Sequence, residues 1–417
     1  MSEFQTSPGM RDILPPESAR WRRFVDRFEH TVSLAGYGQI VPPLLEDIGV
    51  FHRVGEATDV VTKEMYDFVD KGERHVALRP EQTASVCRAF VQHRPTTPWK
   101  VWYAGPNFRY EKPQRGRFRQ FDQVGIEVLG PDDPMLDVEV IALGWRFLRD
   151  LGLQKVALSI NSLGEPADRA RFVDALRTHF ETNIDRLTAE SRVTLAKNPL
   201  RVLDSKRSED ADVIATAPRI GDFLSDDARA SFEMVRNGLD ALGIPYRVDD
   251  RLVRGLDYYR LTTFEYVGGT LDSAQNALGG GGRYDGLVED LGGPATPGVG
   301  FAIGLDRSLL ACDDEGVFPA TPATVDVFVV DTTGGLEALR ITEELRAAGV
   351  AVDRAFENRS MKSQMKAADR SGARWAVIVG EDELAAGTIL VRPLREAGDQ
   401  MSIPRNELTP FIQRARS

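Results

Sequence analysis

The chain has 417 residues, 42% hydrophobic and 28% charged, a composition that supports two or three packed domains and excludes a disordered or fibrous protein. A formal net charge of −11 argues against blanket nucleic-acid binding and leaves room only for local basic patches. Two distant cysteines, Cys87 and Cys312, and five scattered histidines without HExxH speak against a disulfide framework or a zinc site, and for a reducing, cytoplasmic setting.

At the N-terminus, "MSEFQTSPGMRDILPPE" is polar, so no signal peptide is expected, and no apolar run reaches membrane-spanning length. Residues 17–35 carry Trp21, Phe24, Val25, Phe28 and Val32 at helical spacing, ended by "GYG". "QIVPPLLE" follows, its two prolines fitting an edge or terminal strand. Extended pieces are predicted at 65–69, 75–80 and 99–104. In "GRFRQFDQVGIEVLG", Phe118, Phe121, Val124, Ile126 and Val128 mark a strand after a basic loop. Residues 135–151 read as a helix with Val138, Ile141, Ala142, Trp145 and Leu148 on one face, closed by Gly152. The stretch 165–241 is rich in Arg, Asp, Glu and Ala and reads as an inserted helical module. Strand patterns resume at 246–251 and 258–267, followed by a glycine-dense loop, "GGGGRYDG". Residues 313–324, "DDEGVFPATPAT", have linker composition. Beyond them strands and helices alternate: "VDVFVV", helix 335–348, strand 350–353, helix 360–371, "WAVIVG", "TILVR" and helix 405–416, a separate α/β domain over 325–417.

Four stretches are candidates for chemistry. "RYEKPQRGRFRQFDQVGIE" (109–127) sets Arg109, Lys112, Arg115, Arg117 and Arg119 against Glu111 and Asp122. A basic loop beside aromatics suits a phosphate-bearing ligand or an RNA end, and charge alone also fits a solvated hairpin. Arg117 and Arg119 alternate with Phe118, which puts both on one face of a strand; Gln123 and Glu127 share a face in the same way, an amide and a carboxylate able to read a small cation. "GVGFAIG" (298–304) misses the dinucleotide fingerprint, and its glycines are read as allowing a helix that carries Arg307 to pack on a sheet. "LRPEQTAS" (78–85) holds Glu81 and Thr83 two apart, or is an ordinary turn. "LVRGLDYYR" (252–260) gathers Arg254, Asp257, Tyr258 and Tyr259 with no nucleophile nearby.

Together these stretches resemble one family. "FRYEKPQRGRFRQFDQVGIE" is similar to the second motif of class II aminoacyl-tRNA synthetases of the histidyl type, "GVGFAIGLDR" to the third and "YGQIVPPLLE" to the first, with its proline at Pro43. "LRPEQTA", "LVRGLDYY" and "SPGMRDILPPE" resemble further segments of the histidyl family. The likeness runs in order from about residue 7 to 312. Two positions depart from the pattern: Gln82 stands where Gly is usual, and Asp306 where Glu is commoner. A positive φ would strain Gln82.

The resemblance implies an α+β fold. A class II antiparallel-sheet catalytic core would span 1–312, with a helical insertion at about 165–241. A linker, 313–324, would lead to an α/β anticodon-binding domain, 325–417. It implies a homodimer with no membrane, whose partners are tRNA(His), L-histidine and ATP. Histidine and ATP would give histidyl-adenylate, and the histidyl group would pass to the tRNA 3′ end. The substrate carboxylate attacks, so no enzyme nucleophile is needed and the task is positioning and charge stabilisation. By resemblance Arg109 binds the α-phosphate and the carboxylate, and Arg254 faces the α-phosphate from the other side. Arg307 reaches the γ-phosphate over the adenine, Phe121 stacks below it, Glu111 takes its amino group and Arg117 holds the outer phosphates. Glu81, Thr83 and Gln123 take the ammonium, with Gln82 and Tyr258 in the same pocket. Glu127 and Tyr259 read the two ring nitrogens, since neutral imidazole has one donor and one acceptor. Mg2+ rides on the phosphates without a protein cage. Gln114 and Arg115 approach the tRNA acceptor end, and Arg359, Lys362, Lys366, Arg370 and Arg374 form a basic RNA face. A regulatory paralogue without catalysis would lack the C-terminal domain and have eroded motifs, whereas this chain keeps Arg109, Arg254 and Arg307.

Overall fold

The structure is a computed structural model that describes residues 4–53, 58, 60–203, 205, 207–252, 256–271, 276–321 and 324–416. The chain divides into two compact units, Met1–Ala320 and Thr321–Ser417.

An eight-stranded sheet organises the first unit. Its order is Gly38–Gln39, Trp99–Phe108, Gln120–Leu129, Gly298–Gly304, Ala277–Arg283, Arg260–Gly268, Val156–Ser162 and Arg247–Val248. Interior pairs are antiparallel, and each short edge strand is parallel to its neighbour. The faces differ sharply. Trp102, Val124, Ile126, Phe264, Tyr266, Phe301 and Ile303 point into the main core. The helix Glu17–Ser33 covers them with Phe24 and Phe28, and Pro134–Asp150 with Ile141 and Phe147. Phe147 meets Phe24 and Phe28 edge-on, both at 5.0 Å, and burying each ring is worth roughly 1.5–3 kcal/mol. Asp133 starts the second helix by accepting from the Met135 N–H at 2.9 Å, with Pro134 in the first turn. Arg283, fully buried, ties that helix to the sheet through Asp137 at 2.7 Å.

Three local expectations change. The run "QIVPPLLE" splits: Gly38–Gln39 joins the large sheet, while Leu45–Asp47 joins His75–Leu78 and Tyr66–Val69 in a small antiparallel one. One face of that small sheet buries Ala77 and Glu46, and Arg88 of the helix Thr83–His93 grips Glu46 at 2.6 Å. Its other face presents Leu45, Tyr66, Phe68, Val76 and Leu78, with Leu45 and Phe68 45% and 47% exposed. Second, the glycines of "GGGGRYDG" are a strand, not a loop, because added Cβ atoms at Gly279 and Gly281 would run into the backbone of the Gly298–Gly304 strand. Third, Val156–Ser162 is a strand that the helical texture around it concealed.

Between Val156–Ser162 and Arg247–Val248 lie the helices Pro166–Thr182, Ala189–Lys197, Ala211–Ala215 and Asp226–Ala241. The first three surround a small core of their own, including Phe172, Leu176, Phe180, Leu195 and Ile214. Asp226–Ala241 instead places Val235 and Leu239 in the main core. Among the described residues no helix is long and apolar enough to cross a membrane.

The second unit is a five-stranded sheet ordered Val352–Arg354, Val327–Asp331, Trp375–Val379, Thr388–Pro393 and Met401–Pro404, with the first three parallel. The helices Leu336–Ala347 and Leu408–Arg416 cover one face and Met361–Arg370 the other. The last strand and a short helix, Glu381–Ala386, are additions to the sequence reading. Gln364 pins Met361–Arg370 to the sheet by two bonds to the Asp331 backbone, at 2.7 and 2.8 Å, while Lys362, Lys366 and Arg370 stay exposed.

Candidate active site

The open face of the large sheet carries the site. Register puts Phe121, Gln123 and Glu127 on that face beside Tyr103, Ala302, Gly280 and Glu265. A cavity of about 290 Å³ lies over it.

One wall begins with Arg79. Its N–H donates to Leu44 O at 2.9 Å, and its carbonyl accepts from the Phe108 N–H at 3.0 Å. Its buried guanidinium donates to the carbonyls of Pro106 at 2.9 Å and Pro42 at 2.7 Å. Glu81 follows, fixed against the helix Thr83–His93, whose first N–H groups lack intrahelical partners. Its carboxylate accepts from the N–H groups of Thr83 at 2.6 Å and Ala84 at 2.9 Å. Burial pushes the Glu81 carboxyl above its ordinary pKa, opposed by those backbone bonds and by Arg109. Gln82 has φ −113°, so the feared strain is absent and a side chain is tolerated at this position. Its amide donates to Gly105 O at 3.3 Å.

Beneath this wall Glu127 is buried and holds three hydroxyls. Its Oε1 accepts from Thr83 Oγ1 at 2.7 Å and Tyr103 OH at 3.1 Å, and Oε2 accepts from Tyr284 OH. Burial lifts the Glu127 pKa to about 8, with the hydroxyls opposing and Glu81 adding to the rise. Tyr258 and Tyr259 pack nearby with centroids 4.6 Å apart and planes tilted by 46°, and Tyr258 meets Tyr284 at 5.9 Å. Tyr103 and Tyr284 were not singled out from the sequence. The available signals were a tyrosine on the Glu127 face of the preceding strand, and the tyrosine of "GRYDG". Gln123 accepts from Asn107 Nδ2 at 2.8 Å, which orients its amide.

The opposite end is cationic. Arg109 donates from Nε to Pro80 O at 2.9 Å and lies over the Phe121 ring, 5.3 Å from its centroid. Arg117 pairs with Glu111. Arg307 donates to two backbone carbonyls, Ala277 at 3.0 Å and Gly116 at 3.3 Å. Among the described residues no carboxylate lies within ion-pair distance of it. Burial, with Arg117 and Arg109 close by, draws its pKa below arginine's ordinary value. Gly279 and Gly280 give this end a floor without side chains.

The cavity therefore brings together Glu81, Gln82, Thr83, Arg109, Glu111, Arg117, Phe121, Gln123, Tyr258, Tyr259 and Arg307. Glu127 sits just below its surface. Gln114 and Arg115 stand outside, exposed on the hairpin, where Arg115 meets Asp314 at 3.2 Å. Arg254 lies outside the described residues. Arg117 and Arg119 do not share a strand face. A turn with Gly116 at φ +72° precedes the strand, and Arg119 turns away onto the Tyr110 ring at 3.8 Å. Nor do the glycines of Gly298–Gly304 serve mainly to seat a helix: a Cβ at Gly300 would overlap the Glu127 carboxylate.

Comparison with known proteins agrees with this geometry. The family model described as histidyl-tRNA synthetase matches residues 9–307, and that of an anticodon binding domain matches 325–415. A histidine–tRNA ligase of Rhodococcus erythropolis is 48% identical over 98% of this chain and 97% of its own length. One from Nocardia farcinica is 48% identical over 99% and 98%. The apo crystal structure of S. aureus histidyl-tRNA synthetase aligns with a TM-score of 0.83 at 36% identity, covering 98% of this chain and all of that one. Sheet, arginine-lined cavity and C-terminal unit thus define an aminoacyl-tRNA ligase that uses ATP. The chain belongs to the histidyl-tRNA synthetase family, whose members charge tRNA with histidine.

Proposed function

We propose that this chain activates L-histidine with ATP and passes the histidyl group to the 3′ end of tRNA(His) through the residues gathered over the open sheet face. The observation that carries this reading is the cationic end of the cavity. Arg109, Arg117 and Arg307 converge there, and Arg307 is partly desolvated, donating to two backbone carbonyls, with Glu111 and Glu265 in the same wall. Crowded guanidiniums favour a polyanion, and planar ones suit phosphate and carboxylate oxygens.

ATP lies with its adenine over the glycine floor, between Phe121 and Arg307, with Glu111 toward its amino group. Arg117 and Arg307 take the outer phosphates. Arg109 bridges the α-phosphate and the histidine carboxylate, which attacks phosphorus, and Arg254 faces the same phosphate. Glu81, Thr83 and Gln123 take the ammonium, with Gln82 and Tyr258 closing the pocket. Because Asn107 holds the Gln123 oxygen, that amide has its N–H groups left for the carboxylate as well. Glu127 and Tyr259 read the imidazole. ATP–pyrophosphate exchange with each amino acid in turn tests the reading: histidine alone supports exchange, and a comparable response to another amino acid overturns it.

Mg2+ fits this site as a cation shared with the phosphates. Among the described residues no group of three or more His, Cys, Asp or Glu side chains could hold a metal. The Glu265 carboxylate in the cavity wall matches the one or two protein ligands that Mg2+ usually takes. Bound there, the ion would neutralise phosphate charge.

Residues 1–312 act as the catalytic domain, with 165–241 as its insertion, and 325–417 as the anticodon-binding domain; of the expected linker 313–324, residues 313–315 instead close the helix Leu305–Glu315. The exposed Lys362, Lys366 and Arg370 support an RNA face on the last. Gln114 and Arg115 meet the acceptor end. The apolar row of exposed Leu45 and Phe68 with half-buried Tyr66, Val76 and Leu78 supports a homodimer, since a second copy would cover it. Two buried free thiols, Cys87 and Cys312, fit a cytoplasmic location.

A further inference from the structure

Asp257 is the member of "RGLDYY" for which the reaction has no use. Its contacts lead out of the cavity into the insertion. The helix Pro166–Thr182 opens with a reciprocal cap, in which the Glu165 N–H donates to Asp168 at 3.0 Å. In its first turn Arg169 turns back: Nη1 donates to the Asp257 carbonyl at 3.0 Å, and Nη2 meets Asp257 Oδ1 at 3.4 Å. A second tie lies four residues on. The Leu163 N–H donates to Leu261 O at 2.8 Å, and the Leu261 N–H to Gly164 O at 3.1 Å. Leu261 has φ +44°, a backbone that a leucine keeps only when its surroundings impose it. The segment 257–261 is therefore held at both ends by the root of the insertion.

Tyr258 and Tyr259 stand between the two ties. Both line the reaction cavity on one side and, on the other, a groove bounded by Arg169, Ala170 and Val173. Leu256 likewise lines the reaction cavity and a small cavity under Phe172 and Ile220.

We propose that Arg169 is a positioning residue for histidine: by holding the Asp257 carbonyl it fixes Tyr258 and Tyr259, so the root of the insertion sets affinity for the amino acid. This rests on the reading of Tyr259 as a reader of the imidazole. The test is pyrophosphate exchange by the full chain carrying Arg169→Ala, Arg169→Lys or, as control, Tyr259→Phe. Arg169→Ala removes a charge-assisted bond and raises the histidine KM about ten-fold, leaving the ATP KM within about two-fold. Arg169→Lys keeps one donor for the carbonyl and recovers most of the loss. If Tyr259→Phe raises the histidine KM and neither Arg169 variant does, the proposal is overturned. Equal rises in both KM values for Arg169→Lys, which mean general loosening, overturn it too. If Tyr259→Phe leaves the histidine KM unchanged, the underlying reading of Tyr259 fails instead.

Discussion

Glu127→Ala is the direct test of imidazole reading, and the structure shows why it is blunt. The carboxylate is the acceptor for Thr83, Tyr103 and Tyr284. Removing it leaves three buried hydroxyls without that acceptor, at about 1–3 kcal/mol each, so lost folding would masquerade as lost recognition. Glu127→Gln is sharper. Its amide oxygen can keep Thr83 and Tyr103, and Tyr284 can turn its hydroxyl to accept from the new NH2. Folding then loses about one ordinary hydrogen bond, ~1 kcal/mol. The imidazole loses a bond to an ionisable partner, about 1.5–3 kcal/mol, or roughly 10- to 150-fold in kcat/KM for histidine. The ATP KM should stay within about two-fold, because a change confined to the amino-acid end does not touch the phosphate end. Exchange kinetics at varied histidine and varied ATP measure both. Unchanged histidine dependence in a folded Glu127→Gln protein would refute the assignment.

Other perturbations separate the remaining parts of the site. Arg307→Lys keeps the charge but loses the fork that spans Gly116 and Ala277, so exchange should fall about 100-fold with the histidine KM unaltered; wild-type ATP dependence would count against it. Gly300→Ala drives a Cβ into Glu127 and the Ile126 carbonyl, at a cost of about 1–3 kcal/mol or more, read as a lower urea midpoint together with a raised histidine KM. Burial, with Asp306 nearby, lifts Asp122 from 3.8 to about 6. Raised in the folded state, this group gives stability that is full below its unfolded pKa and is lost as pH rises through about 6. Asp122→Asn should therefore be more stable than wild type near pH 8, the gap closing toward about pH 4; a pH-independent gap in urea midpoints would contradict this. Phe68→Asp should yield monomers in sedimentation, and an unaltered dimer would remove the small sheet from the interface.

What the sequence made legible is what repeats along one element. Helical spacing located Glu17–Ser33 and Pro134–Asp150 almost to their ends, helped by "GYG" and Gly152 as stops. Two-residue spacing paired Gln123 with Glu127. Val156–Ser162 escaped although Val156, Leu158 and Ile160 alternate with smaller residues, because it is short and lies between two helical patterns. Ala277–Arg283 escaped because glycine has poor strand propensity and is kept here for what lies across the ladder. The Glu127 partners Tyr103 and Tyr284 are 24 and 157 residues away, so no local pattern could join them. Arg79 looked like part of a motif but is a clamp on two segments, visible only once Pro42 and Leu44 on one and Pro106 on the other surround it.

The glycines of the central strands follow from the same network. A Cβ at Gly125 would overlap the Tyr103 hydroxyl, one at Gly298 the Tyr284 ring, and one at Gly300 the Glu127 carboxylate. Each position makes room for a different member of the group around that carboxylate. A carboxylate this deep is tolerated only if donors fill its lone pairs, and donors of tyrosine size reach it only where neighbouring strands carry no side chain. In the proposed reading, glycine spacing in "QVGIE" and "GVGFAIG" is therefore part of amino-acid selection, although no glycine touches the amino acid. The end proposed for the nucleotide uses the same device differently, where Gly279 and Gly280 leave a floor without side chains beside Arg307. In the proposed reading specificity and nucleotide binding share one sheet face, and the missing side chains on its central strands are as much a part of that site as the arginines above them.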